Sequence, residues 1–413
     1  MPWRPSTGAD ATGRCWGGLS WCVLPVAAGL GHGAGRRRGA EQLMSVVDAM
    51  ASDAADAGPE AVLSRRPRPW LAVAFSALAG VAMLAAFPPY GLWWAALLGV
   101  ALLAVAVHRR RARVGALLGG LAGLGLFVPL LSFTGLQVGW APWFLLAGLQ
   151  AGFLAALGAA AAATSALVDR RPWSWPLVAG VLWAGQEALR GRVPFGGFPW
   201  GRLAFSQADA PAAGLAALGG APMVTFAVAV AAGLVAVALW SWCWGWQGVA
   251  RPVWQRTSAA LAGAVTVVVG GLVVPAGAAD GRSIVVQTNN ATFNTAQAEQ
   301  QLAMIRLRAV EHGRPAVMAS TVGISAVVAP DGALRDATRF NTAAVIVREV
   351  RLSARTTVAT RLGVLPEVAF AVAALSALVL ALVLRTRSSL PRPTPASRGR
   401  SSHRIGDAST DAP

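Results

Sequence analysis

The chain reads as a polytopic α-helical membrane protein of about eight spans, with a small α/β segment inserted before the last. Three observations predict that class. Hydrophobic residues fill 55% of the 413 positions against 13% charged, and mean hydropathy is +0.54, a balance foreign to soluble globular domains. Apolar runs near or above the ~18 residues that cross a bilayer recur along the chain. The arginines gather between those runs, as the loop charges of a membrane protein do.

Residues 1–69 are rich in Gly, Ala and Arg with little periodicity, and are expected to form a disordered basic tail. The apolar stretch at 19–30 is too short to span. Ser64-Arg65-Arg66 ahead of an apolar run resembles a twin-arginine signal. That run is long and followed at once by further spans, so a first membrane anchor is the plainer reading. Met44 and Met50 are alternative starts.

Spans are expected at 70–87, 91–107, 114–133, 143–168, 176–190, 212–240, 257–275 and 367–384. The fifth is short enough to be tilted, kinked or partly re-entrant. This gives a membrane domain over 70–275, an α/β segment over 276–366, a final span over 367–384 and a disordered tail over 385–413. Arg65, Arg66 and Arg68 precede the first span, and the HRRRAR run from His108 to Arg113 separates the second and third. Asp169-Arg170-Arg171, then Arg251 and Arg256, occupy later loops of the same parity, and Arg385 and Arg387 follow the last span. The alternate loops are poorer in charge, except for Arg190, Arg192 and Arg202. The arginine bias places both termini in the cytoplasm and 276–366 outside it. Trp93, Trp94, Trp140, Trp143, Trp173, Trp175, Trp242, Trp244 and Trp246 stand at span ends, where interfacial anchors belong.

Segment 276–366 changes character. Ser283–Gln287 is a short apolar β run, and Thr295–Gly313 has helical apolar spacing through Leu302, Ile305, Leu307 and Val310, ended by Gly313. Further β runs are expected at 316–320, 324–329 and 344–350, with a Pro330-Asp331-Gly332 turn making a hairpin. The order β-α-β-β-β predicts part of a layered α/β domain.

The formal charge of +17 comes from arginine alone, since no lysine occurs. Its position between spans assigns it to cytoplasmic loops, and no nucleic-acid partner is expected. Cys15, Cys22 and Cys243 have no CxxC or Cys/His spacing, so neither a disulfide framework nor a metal site is predicted, and no cofactor. P-loop, GxSxG, HExxH and Rossmann patterns are absent. The scarcity of charge within spans argues against a transporter or channel. Glu187 is the exception. It reads either as an ion-pair partner of Arg190, three residues on, or as a group at a substrate mouth.

The run from Trp183 to Gly220 carries W-x-x-x-E-x-L-R-G (183–191), F-P-W (198–200), S-Q-x-D-x-P (206–211) and G-L-A-x-L-G-G (214–220). A second block carries T-N-N-A-T-F, E-Q-Q-L-A-M-x-R-x-R-A-V-E-H-G-R and S-T-V-G-I-S-A-V-V-A-P-D-G. Over most of 70–384 the chain resembles the apolipoprotein N-acyltransferases, bacterial plasma-membrane enzymes with an outer nitrilase-like domain before the last span. The resemblance implies phospholipid as acyl donor and a diacylated lipoprotein as acceptor, with a cysteine thioester between them. Such chemistry needs a nucleophile, a base and a cation for the oxyanion, which that family supplies as Cys, Glu and Lys.

At that point the chain departs from the family. Segment 276–366 has no cysteine, and its carboxylates (Glu299, Glu311, Glu349, Asp331, Asp336), with Glu367 just beyond, match the later, non-catalytic part of the domain. The expectation is an incomplete nitrilase-like domain, joined in frame near Val285-Val286-Gln287, and a chain that is inactive as written. No catalytic residue is assigned. Ser320 and Ser325 read as strand or hairpin serines, and His312 as a histidine at a helix C-terminus. The candidate substrate-lining residues are Asn289, Asn290 and Phe293 in the loop after the first strand, together with Glu187 and Trp200. The alternative is a non-catalytic membrane partner for a polyprenol-phosphate glycosyltransferase.

Overall fold

The computed structural model describes residues 66–244, 252–274, 282–350 and 356–389. Of the expected tails, residues 1–65, with Cys15 and Cys22, and 390–413 lie outside the described residues, whereas 385–389, expected in the C-terminal tail, continue the last helix. Each expected span is met by a helix: α1 (Pro69–Ala86), α2 (Ala95–Val107), α3 (Ala112–Leu130), α4 (Trp140–Ala163), α5 (Trp175–Arg190), α6 (Ala216–Cys243), α7 (Val253–Val269) and, after the α/β segment with its helix α8 (Thr295–His312), α9 (Leu365–Ser389). The bundle helices run back and forth between an end that carries the sheet and an opposite end that carries His108 and Asp169.

Among the described residues, six helical stretches are long and apolar enough to cross a membrane: Pro69–Ala86, Ala112–Leu130, Trp140–Arg170, Pro211–Cys243, Val253–Val273 and Leu365–Thr386. This is the architecture of a polytopic membrane protein. The remaining two are shorter. α5 has 16 residues and α2 has 13, about 24 and 20 Å at 1.5 Å per residue, against a ~30 Å hydrocarbon core. α2 starts at Ala95 rather than at 91 because 87–94 form a turn, with Tyr90 and Gly91 N–H both donating to the Phe87 carbonyl. Pro88 and Pro89 have no N–H with which to continue a helix through it.

Small residues let the helices approach closely. A Cβ on Gly119 of α3 would run into the Leu154 carbonyl oxygen of α4, and one on Gly158 into that of Gly115. The two helices therefore cross backbone to backbone, gaining dispersion contact that lipid cannot offer. On the periphery α9 packs on α5 where Gly185 meets Ala374, and on α6 through Phe226 and Phe370, whose rings stack at 4.6 Å.

The α/β segment builds one sheet from β1 (Ile284–Thr288), β2 (Ala316–Ser320), β3 (Ala326–Val328) and β4 (Leu334–Ala337), in that order. β1 and β2 are parallel, joined through α8, whereas β2–β3 and β3–β4 are antiparallel. Asn294 caps α8 by accepting from the Gln297 N–H at 2.8 Å, and Gly313 closes it in the left-handed conformation. The helix buries two faces. Leu307 and Val310 join the core of the bundle, while Ala298, Ile305 and Ala309 pack with Ala316, Met318 and Val328 of the sheet. The result is three layers, with α8 as the middle one.

The strand expected at 344–350 does not form. The return strand of the hairpin is β4, because Gly332 N–H donates to the Ala329 carbonyl and Ala329 N–H to the Ala333 carbonyl, so the chain reverses within the Pro330-Asp331-Gly332 turn and pairs at once. Residues 342–350 instead run on without regular structure, tied back by Arg348 to Asp336 at 2.9 Å, with Val345 and Val347 exposed.

Candidate functional site

The loop from Gly191 to Leu215 closes the sheet-side end of α5 and carries the sequence signature around F-P-W. It doubles back on α5: Phe198 N–H donates to the Arg190 carbonyl, and at Gly197 (φ +78°) a Cβ would collide with the backbone of Gly191. Only glycine accommodates that approach. The fold-back presents carbonyls to Arg190, which is almost completely buried. Its guanidinium donates to the Trp200 carbonyl at 2.6 Å, to the Phe198 carbonyl at 3.3 Å and to Gln150 Oε1 of α4 at 3.0 Å, and lies over the Phe127 ring.

Glu187 does not form the expected short ion pair with Arg190. Its Oε1 accepts from the Leu203 N–H at 2.7 Å and its Oε2 from the Thr225 hydroxyl at 2.8 Å. The two residues share a helix face, as their spacing requires, but the returning loop offers each a nearer backbone partner. Both side chains thus act as pins for 198–204. A second pair of pins follows. Glu367, at the start of α9, takes Arg192 on one oxygen and Arg202 on the other, each at 2.7 Å. The Glu367 hydrogen bond holds the Arg192 guanidinium above its ordinary range.

This scaffold positions Trp200 against α8. The indole Nε1 donates to Gln300 Oε1 at 2.8 Å, and the Gln300 amide donates in turn to the Pro88 carbonyl at 3.1 Å. Trp200 also sits 5.5 Å from the Phe133 ring and 6.2 Å from Phe293, edge to face in the second case. Phe133 and Gln300 line a cavity of about 490 Å³, whose other walls include Pro88, Tyr90, Trp143 and Gln297. It opens where α1, α3 and α4 meet the N-terminal end of α8. Apolar and aromatic walls with a few convergent amides suit a lipid chain whose polar end must be oriented.

Of the five candidate lining residues, Trp200 and Phe293 are brought together beside this cavity. Asn289 and Asn290 instead organise the loop after β1. Asn289 Oδ1 accepts from the Ala291 N–H at 3.2 Å and from the Thr321 hydroxyl at 3.1 Å. Asn290 is buried and bonded to Thr288 and to Gln301. Glu187 lies within the bundle. Sequence reading missed Phe133, Trp143, Gln297 and Gln300; an amide repeated on one face of α8, at 297 and 300, was the available signal. Ser320 and Ser325 bond each other across the β2–β3 turn, and His312 Nδ1 meets the Thr360 hydroxyl at 3.1 Å. Burial pushes the His312 imidazole below its usual range, with Glu311 opposing. Among the described residues no group of three or more His, Cys, Asp or Glu is arranged to hold a metal.

A helical bundle with several membrane-length apolar helices, capped on one side by a small α/β layer with an apolar mouth between them, defines a polytopic membrane protein. Residues 79–234 match the family model of the apolipoprotein N-acyltransferase N-terminal domain. The chain is 41% identical over 100 residues to an apolipoprotein N-acyltransferase of Mycolicibacterium smegmatis, covering 24% of this chain and 17% of that protein. It is 33% identical over 181 residues to that of Vibrio cholerae (42% of this chain, 35% of that protein) and 36% identical over 167 to that of Chromobacterium violaceum (38% and 32%). Over these residues the chain is similar to the membrane domain of the apolipoprotein N-acyltransferases. Its matches span between 17% and 35% of the length of these relatives.

Proposed function

We propose that this chain is a lipid-binding member of its family that does not by itself complete acyl transfer. The α/β layer faces the extracytoplasmic side, and the mouth beside Phe133, Trp200 and Phe293 takes an acyl chain of a membrane lipid or of a diacylated lipoprotein. One observation carries the reading. Relay through a thioester needs a thiol at that mouth, and segment 276–366 has none, nor does the chain have any lysine to hold an oxyanion. Cys243 ends α6 at the end of the bundle away from the sheet. The apolar cavity and its amide rim support retained lipid recognition.

The test uses membranes bearing the full chain, given phospholipid with a radiolabelled acyl chain and a synthetic diacylated lipopeptide. The expected result is lipopeptide binding, lost in Phe133→Asp, with no hydroxylamine-sensitive label on the protein and no N-acylated product. An acyl-protein adduct or triacylated lipopeptide would overturn the reading of inactivity. Binding indifferent to Phe133→Asp would remove the mouth from it.

A further inference from the structure

A second lipid-facing feature lies away from that mouth and shares no wall with it. α5 and α9 approach closely at Gly185 and Ala374, and a groove of about 350 Å³ lies between them from there to Arg192 and Glu367. Its walls are Ala188 and Leu189 of α5 with Val368, Ala371, Val372 and Leu375 of α9. Leu189, Val372 and Leu375 are more than half exposed. From Glu367 to Leu375 the groove is roughly 12 Å long at 1.5 Å per residue, directed along the bundle axis. A groove of that shape on a helix that spans a membrane faces lipid, not water.

The upper end of the groove is different in kind. Arg192 and Glu367 close it, and Arg192 is 46% exposed there while Glu367 is held between Arg192 and Arg202. Counting the linked groups Arg190, Arg192, Arg202, Glu187 and Glu367, the guanidinium groups outnumber the carboxylates by one. Around Glu367 alone, two guanidinium groups share one carboxylate, and Arg192 is the most exposed of the three. An apolar channel leading up to two guanidinium groups that share one carboxylate matches a chain leading up to a phosphodiester.

We propose that the α5–α9 groove is a binding site for an anionic glycerophospholipid, one acyl chain lying between the helices and the phosphodiester on Arg192. The site is distinct from the mouth and does not depend on acyl transfer. Because α9 meets the bundle mainly along α5, a lipid seated there also bridges α9 to the rest of the protein.

Native mass spectrometry of the delipidated full chain, titrated with phosphatidylglycerol, tests the proposal. The expected result is one tight adduct, weakened ~10-fold or more in Arg192→Gln, which is about 1.4 kcal/mol, and largely restored in Arg192→Lys. Ala371→Trp, which fills the groove, should remove the same adduct while leaving lipopeptide binding at the mouth intact. Should Ala371→Trp fail to fold, the Gln and Lys pair at Arg192 decides alone. Phosphatidylglycerol binding that is equal in wild type and Arg192→Gln would overturn the site. So would full competition by glycerophosphoglycerol lacking chains, which would make it a plain anion site, or a dimer that dissociates in Ala371→Trp, which would give the groove to a second copy.

Discussion

The Trp200 indole and the Gln300 side-chain carbonyl meet at 2.8 Å across the seam between the membrane bundle and the α/β layer. Gln300 also donates to the Pro88 carbonyl, so one side chain of α8 ties two separate loops of the bundle. The seam is thereby a fixed joint as well as a wall of the cavity.

Breaking that bond should loosen the joint by an amount typical of a single neutral hydrogen bond, about 1 kcal/mol. Trp200→Phe keeps the ring but removes the donor, and Gln300→Leu removes the acceptor. Thermal unfolding in detergent should show both variants less stable, with the double variant well short of additive. Additive losses would mean that the two side chains act independently.

Glu187 offers a sharper case. Its two oxygens satisfy a buried backbone N–H and a buried hydroxyl, and Arg190 lies beside it. Glu187→Ala strands both donors and leaves a buried guanidinium without its nearest counter-charge, a cost of about 3 kcal/mol or more. Glu187→Gln keeps one acceptor oxygen and should lose roughly half as much. The readout is the temperature at which the monodisperse peak is lost in size-exclusion chromatography. Equal behaviour of the Ala and Gln variants would show that charge, not capping, is what Glu187 supplies.

The helices were legible because each is a nearly unbroken apolar run, and α8 because its Gly313 stop and 3–4 residue spacing are local signals. What was not legible is the loop between α5 and α6. Glu367 reaches Arg192 and Arg202 from 175 and 165 positions away, and no window of sequence reports such a pairing. Glu187 and Arg190 show the same limit at short range: their spacing fixes a shared face, but the returning loop decides what they bond. The misplaced strand at 344–350 has the opposite cause. Its consecutive β-branched residues Val345, Ile346 and Val347 fit a strand, yet the tight turn at 330–332 had already given β3 its partner.

Helix packing yields a third prediction. Gly119 and Gly158 lie where α3 and α4 backbones touch, and neither neighbour is a flexible side-chain end that could move aside. Gly158→Val should force the helices apart, costing ~1–3 kcal/mol by overpacking. Gly148 on the same helix α4 has open space at its Cβ position, so Gly148→Val is the matched control and should leave stability near wild type. Comparable loss in both would assign the effect to valine in a helix instead of to the crossing.

The last prediction concerns the end of the bundle away from the sheet. His108 is buried, stacked on Trp175 at 4.4 Å, set edge-on to Trp240 at 4.6 Å, and its Nε2 lies 3.1 Å from Asp169 Oδ1, which Arg109 also engages. Burial pushes the imidazole below its ordinary value, and Asp169 only partly opposes it. A base depressed in the folded state binds fewer protons there than when unfolded, so stability rises with pH through this range. The contribution is complete above the unfolded value of about 6.5 and is lost as pH falls through the lower folded value. Wild-type protein should therefore melt at lower temperature at about pH 5.5 than at about pH 8, and His108→Gln, which cannot charge, should flatten that difference. A pH slope unchanged in the variant would assign the effect to another group, with His312, also depressed by burial and near Glu311, Arg308 and Arg314, as the next to replace.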